Sequence, residues 1–426
     1  MDFSHDLGAT EMLLRYLSRN TLLTPIATAT IQQEQKAERQ DLHLEHIGEG
    51  FCAIMYDFAS AGQVIKQAKG WNKHPELWTD YTAHQRVYDA GFGMGVQVCI
   101  HQPAYFITPE NVGTWYSRHR DAGELPDDPT LLRNMKALLV SERIPALPRT
   151  VRDALVDVFC PDDKKEAARA SPENRNCLLR LHLGRRRAHS GIGSELSVHD
   201  FDLSLRSAEF RLRNFEFTLD KMEDLGVDPT QFVAPVAEAL AVMHWRVRCD
   251  AFDVEFVLGS SPKLRRVRCA SVGDDDETSG EMRTTWNREP GDDNNTNPEC
   301  LQRAVQVWLL DFNQVGSITM DEEGVDKAVR GFWDNDPYYP RPASREANTT
   351  EVRLWEIFKE VYLATSIGIT KEASLPLSFI TKVEQEATAR SASASILQGP
   401  PKGPTSATRV GGNTGKKKQR HYPGVN

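Results

Sequence analysis

The chain has 426 residues, room for two or three domains at roughly 150 residues each, and its 40% hydrophobic content supports a sizeable core. Lys and Arg total 51 against 60 Asp and Glu, a net charge of −9. That argues against a nucleic-acid-coating protein, which needs a basic field over the folded domain. No apolar run approaches the roughly 20 residues of a membrane span, and the acidic start Met1-Asp2-Phe3-Ser4-His5-Asp6 is unlike a signal peptide. The seven cysteines are scattered, odd in number and without a C-x-x-C pair. This is the usage of free thiols in a reducing compartment, not of a disulfide framework or a zinc site. An intracellular protein, cytoplasmic or nuclear, with no membrane and no zinc, is the expectation.

In chain order, Met12, Leu13, Tyr16, Leu17 and Leu22 fall near a helical repeat and predict a helix over 9–22. A Gln/Glu-rich connector over 32–40 completes an N-terminal segment, 1–41. From Leu42 to Ala68, short β-branched runs separated by glycine predict twisted antiparallel strands. Trp71 to Ala90 reads as a helix, and 96–100 and 104–107 as two more strands, so 42–113 is predicted as a small sheet-rich unit. Residues 114–385 are predicted as a larger helical unit. It holds helices at 130–141 and 150–159, an apolar run at 176–182 before Arg185-Arg186-Arg187, and a buried helix pair over 217–244. The cluster from Arg180 to Arg187 reads as a solvated basic face, with contact to an acidic ligand as the alternative. The acidic, Asn-rich stretch 273–299 reads as a solvated loop without calcium-loop register. Past Pro342 one long amphipathic helix is predicted through Val352, Trp355, Phe358 and Tyr362. Residues 386–426 are predicted as a disordered tail, with seven basic residues and no acid from Ala387 onward. Its Lys416-Lys417-Lys418-Gln419-Arg420 fits a nuclear import signal, and the tail is the one place where nucleic-acid contact is expected.

Four stretches carry candidate chemistry. Gly48 and Gly50 form a G-x-G turn between strand-like runs, where missing Cβ atoms let the backbone approach phosphate oxygens. The pattern is also that of an ordinary hairpin. Lys66 ends the apolar run Val64-Ile65-Lys66 and on an inward face needs an anion, with Asp80 on the following helix the acidic candidate; Lys69 competes for the role. Asp250 and Glu255 lie five residues apart across a loop that leads into the strand Phe256-Val257-Leu258. Two carboxylates there suit a metal–phosphate site, or serve as loop caps paired with arginines. Asp311 closes the apolar strand Val307-Trp308-Leu309-Leu310, a common place for a magnesium ligand and for a turn residue.

In this order the four stretches resemble the protein-kinase-like fold, whose pattern is a Gly-rich loop, a third-strand lysine, H-R-D-L-x-x-x-N and D-F-G. The resemblance spans Ile47 to about Pro342. It implies an α+β, two-lobed fold, with ATP and magnesium as cofactors. Gly48 and Gly50 would cover phosphates, Lys66 held by Asp80 would contact them, Asp311 and Glu255 would hold the metal, and Asp250 would orient an acceptor hydroxyl. The departures are Arg248 and Cys249 for His and Arg, Glu255 for Asn, Asn313 for the Gly after D-F, and Asp80 for Glu. Strings such as Ala241-Val242-Met243-His244-Trp245 and Asn335-Asp336-Pro337-Tyr338-Tyr339-Pro340-Arg341-Pro342 also resemble an uncharacterised fungal domain family labelled zinc-finger-protein-like. With no motif intact, the expected function is a degenerate, non-catalytic module binding a nucleotide or an unknown protein partner. The alternative is a Mg-ATP-dependent phosphotransferase acting on a small-molecule or protein hydroxyl.

Overall fold

The computed structural model describes residues 7–37, 44–58, 62–127, 136–186, 210–261, 302–343 and 349–398. Helix α1 (Ala9–Tyr16) buries Met12, Leu13 and Tyr16 along one face. Strand β1 (Leu22–Leu23) follows, and helix α2 (Pro25–Ala37) takes in 32–37 of the stretch expected as a connector, the rest of which lies outside the described residues. Three antiparallel strands come next, β2 (Glu45–Glu49), β3 (Ala53–Phe58) and β4 (Gln63–Ala68), then the 21-residue helix α3 (His74–Met94). Strands β5 (Cys99–Ile100) and β6 (Pro103–Ile107) and helix α4 (Val112–Asp121) lead to β7 (Leu138–Glu142). The helix expected over 130–141 is corrected at its end, since Leu138-Leu139-Val140 is strand. A short run that is apolar on both faces does not distinguish a buried strand from a buried helical turn.

The first sheet is antiparallel throughout, in the order β2-β3-β4-β7-β6. Leu77 and Tyr81 of α3 pack on one face, against Ala53, Ala68, Ala137 and Leu139. Val112, Trp115 and Tyr116 of α4 pack on the other, against Phe58, Ile65, Leu138 and Val140. Strand alternation therefore sends Ile65 toward α4 and its neighbour Lys66 toward α3.

The rest of the chain comprises α5 (Arg149–Phe159), α6 (Lys165–Ala170), β8 (Leu179–His182), β9 (Phe215–Thr218), α7 (Leu219–Asp224) and α8 (Val233–Ala241). A π-helical turn over Val242–Val247 continues α8. There follow β10 (Glu255–Ser260), β11 (Gln302–Arg303), β12 (Val305–Leu310), α9 (Glu322–Asp334), α10 (Thr349–Thr370) and α11 (Ser374–Gln398). The α+β class holds, but the larger part is not simply helical. Its centre is a second, mixed sheet of order β5-β12-β10-β8-β9, antiparallel at β12-β10-β8 and parallel at β5-β12 and β8-β9. Helix α11 corrects the tail boundary, because residues 386–398 are helical. Residues 399–426 of the expected tail, and the acidic loop 273–299, lie outside the described residues. The described cysteines, Cys52, Cys99, Cys160, Cys177 and Cys249, are buried free thiols.

The short segment from β7 to α5 is fastened along its length. The Arg143 N–H donates to the Gly62 carbonyl at 3.1 Å, and its Nε lies 2.8 Å from buried Asp57 Oδ2. The Pro145 carbonyl accepts from Ser260 N at 2.9 Å, and Leu147 N donates to the Cys177 carbonyl at 3.0 Å. The Ala146 carbonyl accepts from Gln35 Nε2 at 2.8 Å and from Ser260 Oγ at 2.9 Å.

Helix α9 presses on the loop that precedes β10. A Cβ at Gly331 would meet the Asp250 carbonyl oxygen at 2.5 Å. Gly331→Ala is expected to cost about 1–3 kcal/mol, as for an extra group forced into a packed interior. A urea midpoint equal to that of the parent chain would refute the contact.

Candidate functional site

Lys66 stands opposite Met55 on one side and Leu139 on the other. On the α3 face of the sheet its ammonium meets Asp80 Oδ2 at 2.7 Å and Asp311 Oδ1 at 3.1 Å. The three charges come from β4, from the inner face of α3 and from the residue just after β12, so they join the first sheet to the second. The second oxygen of Asp80, Oδ1, accepts the Phe312 N–H at 3.1 Å. One turn along α3, His84 stacks on the Phe312 ring with centroids 4.9 Å apart, and its Nε2 meets the His101 carbonyl at 2.6 Å. Burial pushes the His84 pKa down to about 3, so the ring is neutral and donates to that carbonyl. Lys69, the competing lysine, pairs with Glu49 at 3.5 Å.

Burial by itself would favour a neutral Lys66. Asp311 and Asp80 outweigh it and hold the lysine pKa above its ordinary value. An ammonium has three donors; two are spent on these carboxylates, and one is left for a further acceptor.

Glu255 opens β10 opposite Leu310, which brings it next to Asp311 in space. It pairs with Arg180 of β8, whose guanidinium also reaches Asp336 at 3.3 Å. Burial pushes the Glu255 carboxyl up to about 7, with Asp311 and Asp336 adding to the effect and Arg180 opposing it. Burial and Asp311 likewise raise Asp253. Arg180 and Lys66 together thus face the carboxylates of Asp253, Glu255, Asp311 and Asp336. The solvated basic face expected over 180–187 is corrected where described: Arg185 pairs with Glu216 at 3.3 Å, and Arg186 pairs with Glu223 and, at 3.1 Å, with Glu351. Arg187 lies outside the described residues.

Asp250 shares the loop but is held differently. Its Oδ1 accepts the Gly316 N–H at 2.8 Å and the Phe252 N–H at 3.2 Å, while Oδ2 lies 3.7 Å from Lys327 Nζ. Among the described residues it makes no ion pair with Lys66. Its backbone N–H donates to the Gly316 carbonyl at 2.9 Å, and Ile318 N donates to the Arg248 carbonyl at 3.0 Å, binding the loop to the segment after Asp311. Arg248, Ala251, Asp253 and Asp311 all have left-handed backbone, with φ of 62°, 53°, 61° and 63°. Such conformations cost roughly 1–3 kcal/mol each for residues with a Cβ.

The glycine turn is a hairpin, closed by Gly50 N donating to the Ala53 carbonyl at 2.9 Å. Its two glycines are not equivalent. A Cβ at Gly50 would meet nothing within 4 Å, whereas one at Gly48 would lie 2.5 Å from a guanidinium nitrogen of Arg213. Sequence reasoning passed over the roles of Arg180, Arg213 and Asp253. Their partners lie far away in the chain, and the only local signal was the short acidic string Asp253-Val254-Glu255. Among the described residues, no group of three or more His, Cys, Asp or Glu is placed to hold a metal ion.

The family model DUF3669, described as a zinc finger protein, matches residues 307–374. The match runs from β12 through Asp311 to just past α10 and includes the Asn335–Pro342 string. That segment contains neither Cys nor His, so it offers no thiolate or imidazole ligand for zinc. No curated protein matches the chain. Among solved structures, the GDP complex of an aminoglycoside 2'-phosphotransferase-IIIa mutant is similar over 86% of this chain and 99% of that one, at 10% identity and a TM-score of 0.20. Overlap of that quality fixes no residue correspondence.

The Glu255 carboxyl keeps its proton up to about pH 7 in the fold, against an ordinary value of 4.5. The folded state therefore binds more protons than the unfolded state between those limits, and the stability from this group falls as pH rises through them. Glu255→Gln is expected to flatten that part of the Tm–pH profile, measured from pH 4.5 to pH 8. An unaltered slope would show that another group is responsible.

Proposed function

We propose that this chain is a kinase-like, two-lobed protein that binds a magnesium nucleotide between its sheets without efficient turnover. The first sheet with α3 is the small lobe, and the second sheet with its helices is the larger one. The observation that carries the reading is the junction of Lys66, Asp80 and Asp311. A strand lysine is oriented by a helix acid of the same lobe and meets an acid that ends a strand of the other. The lysine keeps one donor for a phosphate oxygen, and the glycine hairpin lies on the same sheet.

The donor set fits magnesium in a particular way. Magnesium takes one or two carboxylates and completes its shell with phosphate oxygens and water. Asp311 and Glu255 supply hard oxygens; each already faces a cation, Lys66 and Arg180, and Glu255 would give up its proton to hold the ion. When bound, the ion would neutralise phosphate charge. Gly48 and Gly50 would then cover the phosphates, while Lys66, held by Asp80, would fix their position.

Asp250 is the reason to set turnover aside. A group that orients an acceptor hydroxyl needs an oxygen open to it, and here Oδ1 already takes two N–H groups while the side chain, with Oδ2 3.7 Å from Lys327 Nζ, is only 8% exposed. One observation favours the second reading, a phosphotransferase acting on a small-molecule or protein hydroxyl. The four left-handed residues around Asp250 and Asp311 store strain of the kind that persists where function requires it. In that reading Asp250 orients the hydroxyl, and the barrier falls through positioning and charge neutralisation.

At saturating ATP and magnesium, Tm is expected to rise by about 2–4 °C, and Lys66→Met is expected to abolish the rise. A parent chain whose melting is indifferent to ATP would sink the reading. Multiple-turnover ADP release in the presence of a hydroxyl acceptor would move the choice to the phosphotransferase.

A further inference from the structure

Arg213 lies two residues before β9, at the edge of the second sheet, yet its guanidinium rests against the glycine hairpin of the first. The contact is close, with Nη2 2.5 Å and Cζ 2.9 Å from where a Gly48 Cβ would stand. Gly48 is opposite Met55, and Met55 is opposite Lys66. Residues paired across strands point to the same side of a sheet, so the guanidinium and the Lys66 ammonium share one face. The rows are two strands apart, about 10 Å at the usual strand spacing.

The two cations differ in how they are satisfied. Lys66 is bound by two carboxylates. Arg213 pairs with no carboxylate among the described residues; its hydrogen bond runs from Nη2 to the Glu49 carbonyl at 3.5 Å. A guanidinium left with most of its donors unspent, beneath a hairpin that has no side chain at the point of contact, is suited to bind an anion in a forked geometry.

We propose that Arg213 is a second cationic ligand of the cleft. With Lys66 it spans the phosphate chain of a nucleoside di- or triphosphate, and the missing Cβ at Gly48 leaves the guanidinium room to lie against the hairpin. This rests on the nucleotide-binding reading above and adds to it a phosphate-counting residue supplied by the second sheet.

The test is calorimetric titration of the full chain with adenosine, ADP, ATP and inorganic tripolyphosphate. The chains compared are the parent, Arg213→Ala, Arg213→Lys, Gly48→Ala and Lys66→Met, with ligand-free melting recorded for each. Arg213→Ala is expected to weaken ATP binding by about tenfold and ADP binding by less, and to leave adenosine binding unmoved. Arg213→Lys should recover part of the loss. Gly48→Ala should reproduce the alanine result by displacing the guanidinium. If Arg213→Ala melts early, Arg213→Lys and Gly48→Ala carry the comparison. Unchanged or tighter ATP binding in the Arg213 variants, with Lys66→Met still defective, overturns this role and leaves the nucleotide reading standing. Tripolyphosphate binding that is lost in Arg213→Ala, in a chain indifferent to ATP, upholds the anion site and overturns the nucleotide reading. A parent chain that binds neither overturns both.

Discussion

A lysine cannot be buried charged without a counter-charge, and in this protein the counter-charge comes from two different places in the fold. Lys66 leaves β4 toward α3 and finds Asp80 there, then Asp311 from beyond β12. Removing one partner of such a buried cluster leaves the others uncompensated, at a cost of roughly 3–5 kcal/mol. The junction therefore dictates how the first sheet meets the second. Asp80 strengthens it with its other oxygen, which takes the Phe312 N–H, and the neutral His84 ring covers the Phe312 side chain. Two carboxylates around one ammonium leave a net negative charge, which Asp253 and Asp336 deepen and Arg180 partly offsets, while Glu255 keeps its proton up to about pH 7. The site is built short of cations, which is a physical reason for a cationic or cation-bearing ligand to settle there.

Much of the first sheet was legible because its signals are local. Alternation gave the strands over 42–68, and the helical repeat gave α3. An apolar strand ending in lysine, followed by a helix acid, gave the Lys66–Asp80 pair. The second sheet was not legible as a sheet. Its strands come from five separate parts of the chain: those at β5, β10 and β12 were expected as strands without any sign that they pair with one another, while β8 and β9 are short runs whose periodicity does not separate strand from buried helix. The same limit turned Leu138–Val140 into an expected helix. Arg213 and Arg180 carry no local signal, because what matters about them is which distant residue they touch. Asp250 was read two ways, as part of a metal–phosphate site or as a loop cap, and its hydrogen bonds are those of a loop cap. Its spacing to Glu255 was read correctly from the sequence, but the orientation of a carboxylate depends on neighbours such as Gly316 and Lys327, which spacing does not reveal.

The loop around Asp250 combines strain with satisfaction. Its left-handed residues would relax in an isolated peptide, and they are held by the ladder of bonds from Arg248, Asp250 and Gly316 and by the pressure of α9 at Gly331. A loop fixed this firmly presents Asp311 and Glu255 in set positions while keeping the Asp250 carboxylate engaged.

The bonds along 143–147 also determine how the molecule can change shape. Hinge closure requires a few connecting residues free to absorb large backbone rotations, and this connection is pinned by Gly62, Ser260, Gln35 and Cys177, with Asp57 gripping Arg143. Rotating one sheet against the other would break several of these bonds together, each worth about 1 kcal/mol. The hairpin at 49–53 is held by the Gly50–Ala53 and Lys69–Cys52 backbone bonds and, at its surface, by the contacts of Arg213 and Lys69 with Glu49 and of Lys73 with the Phe51 ring. Rearrangement is thus easier at this hairpin than at the connection between the two sheets, whose relative setting behaves as a stiff frame.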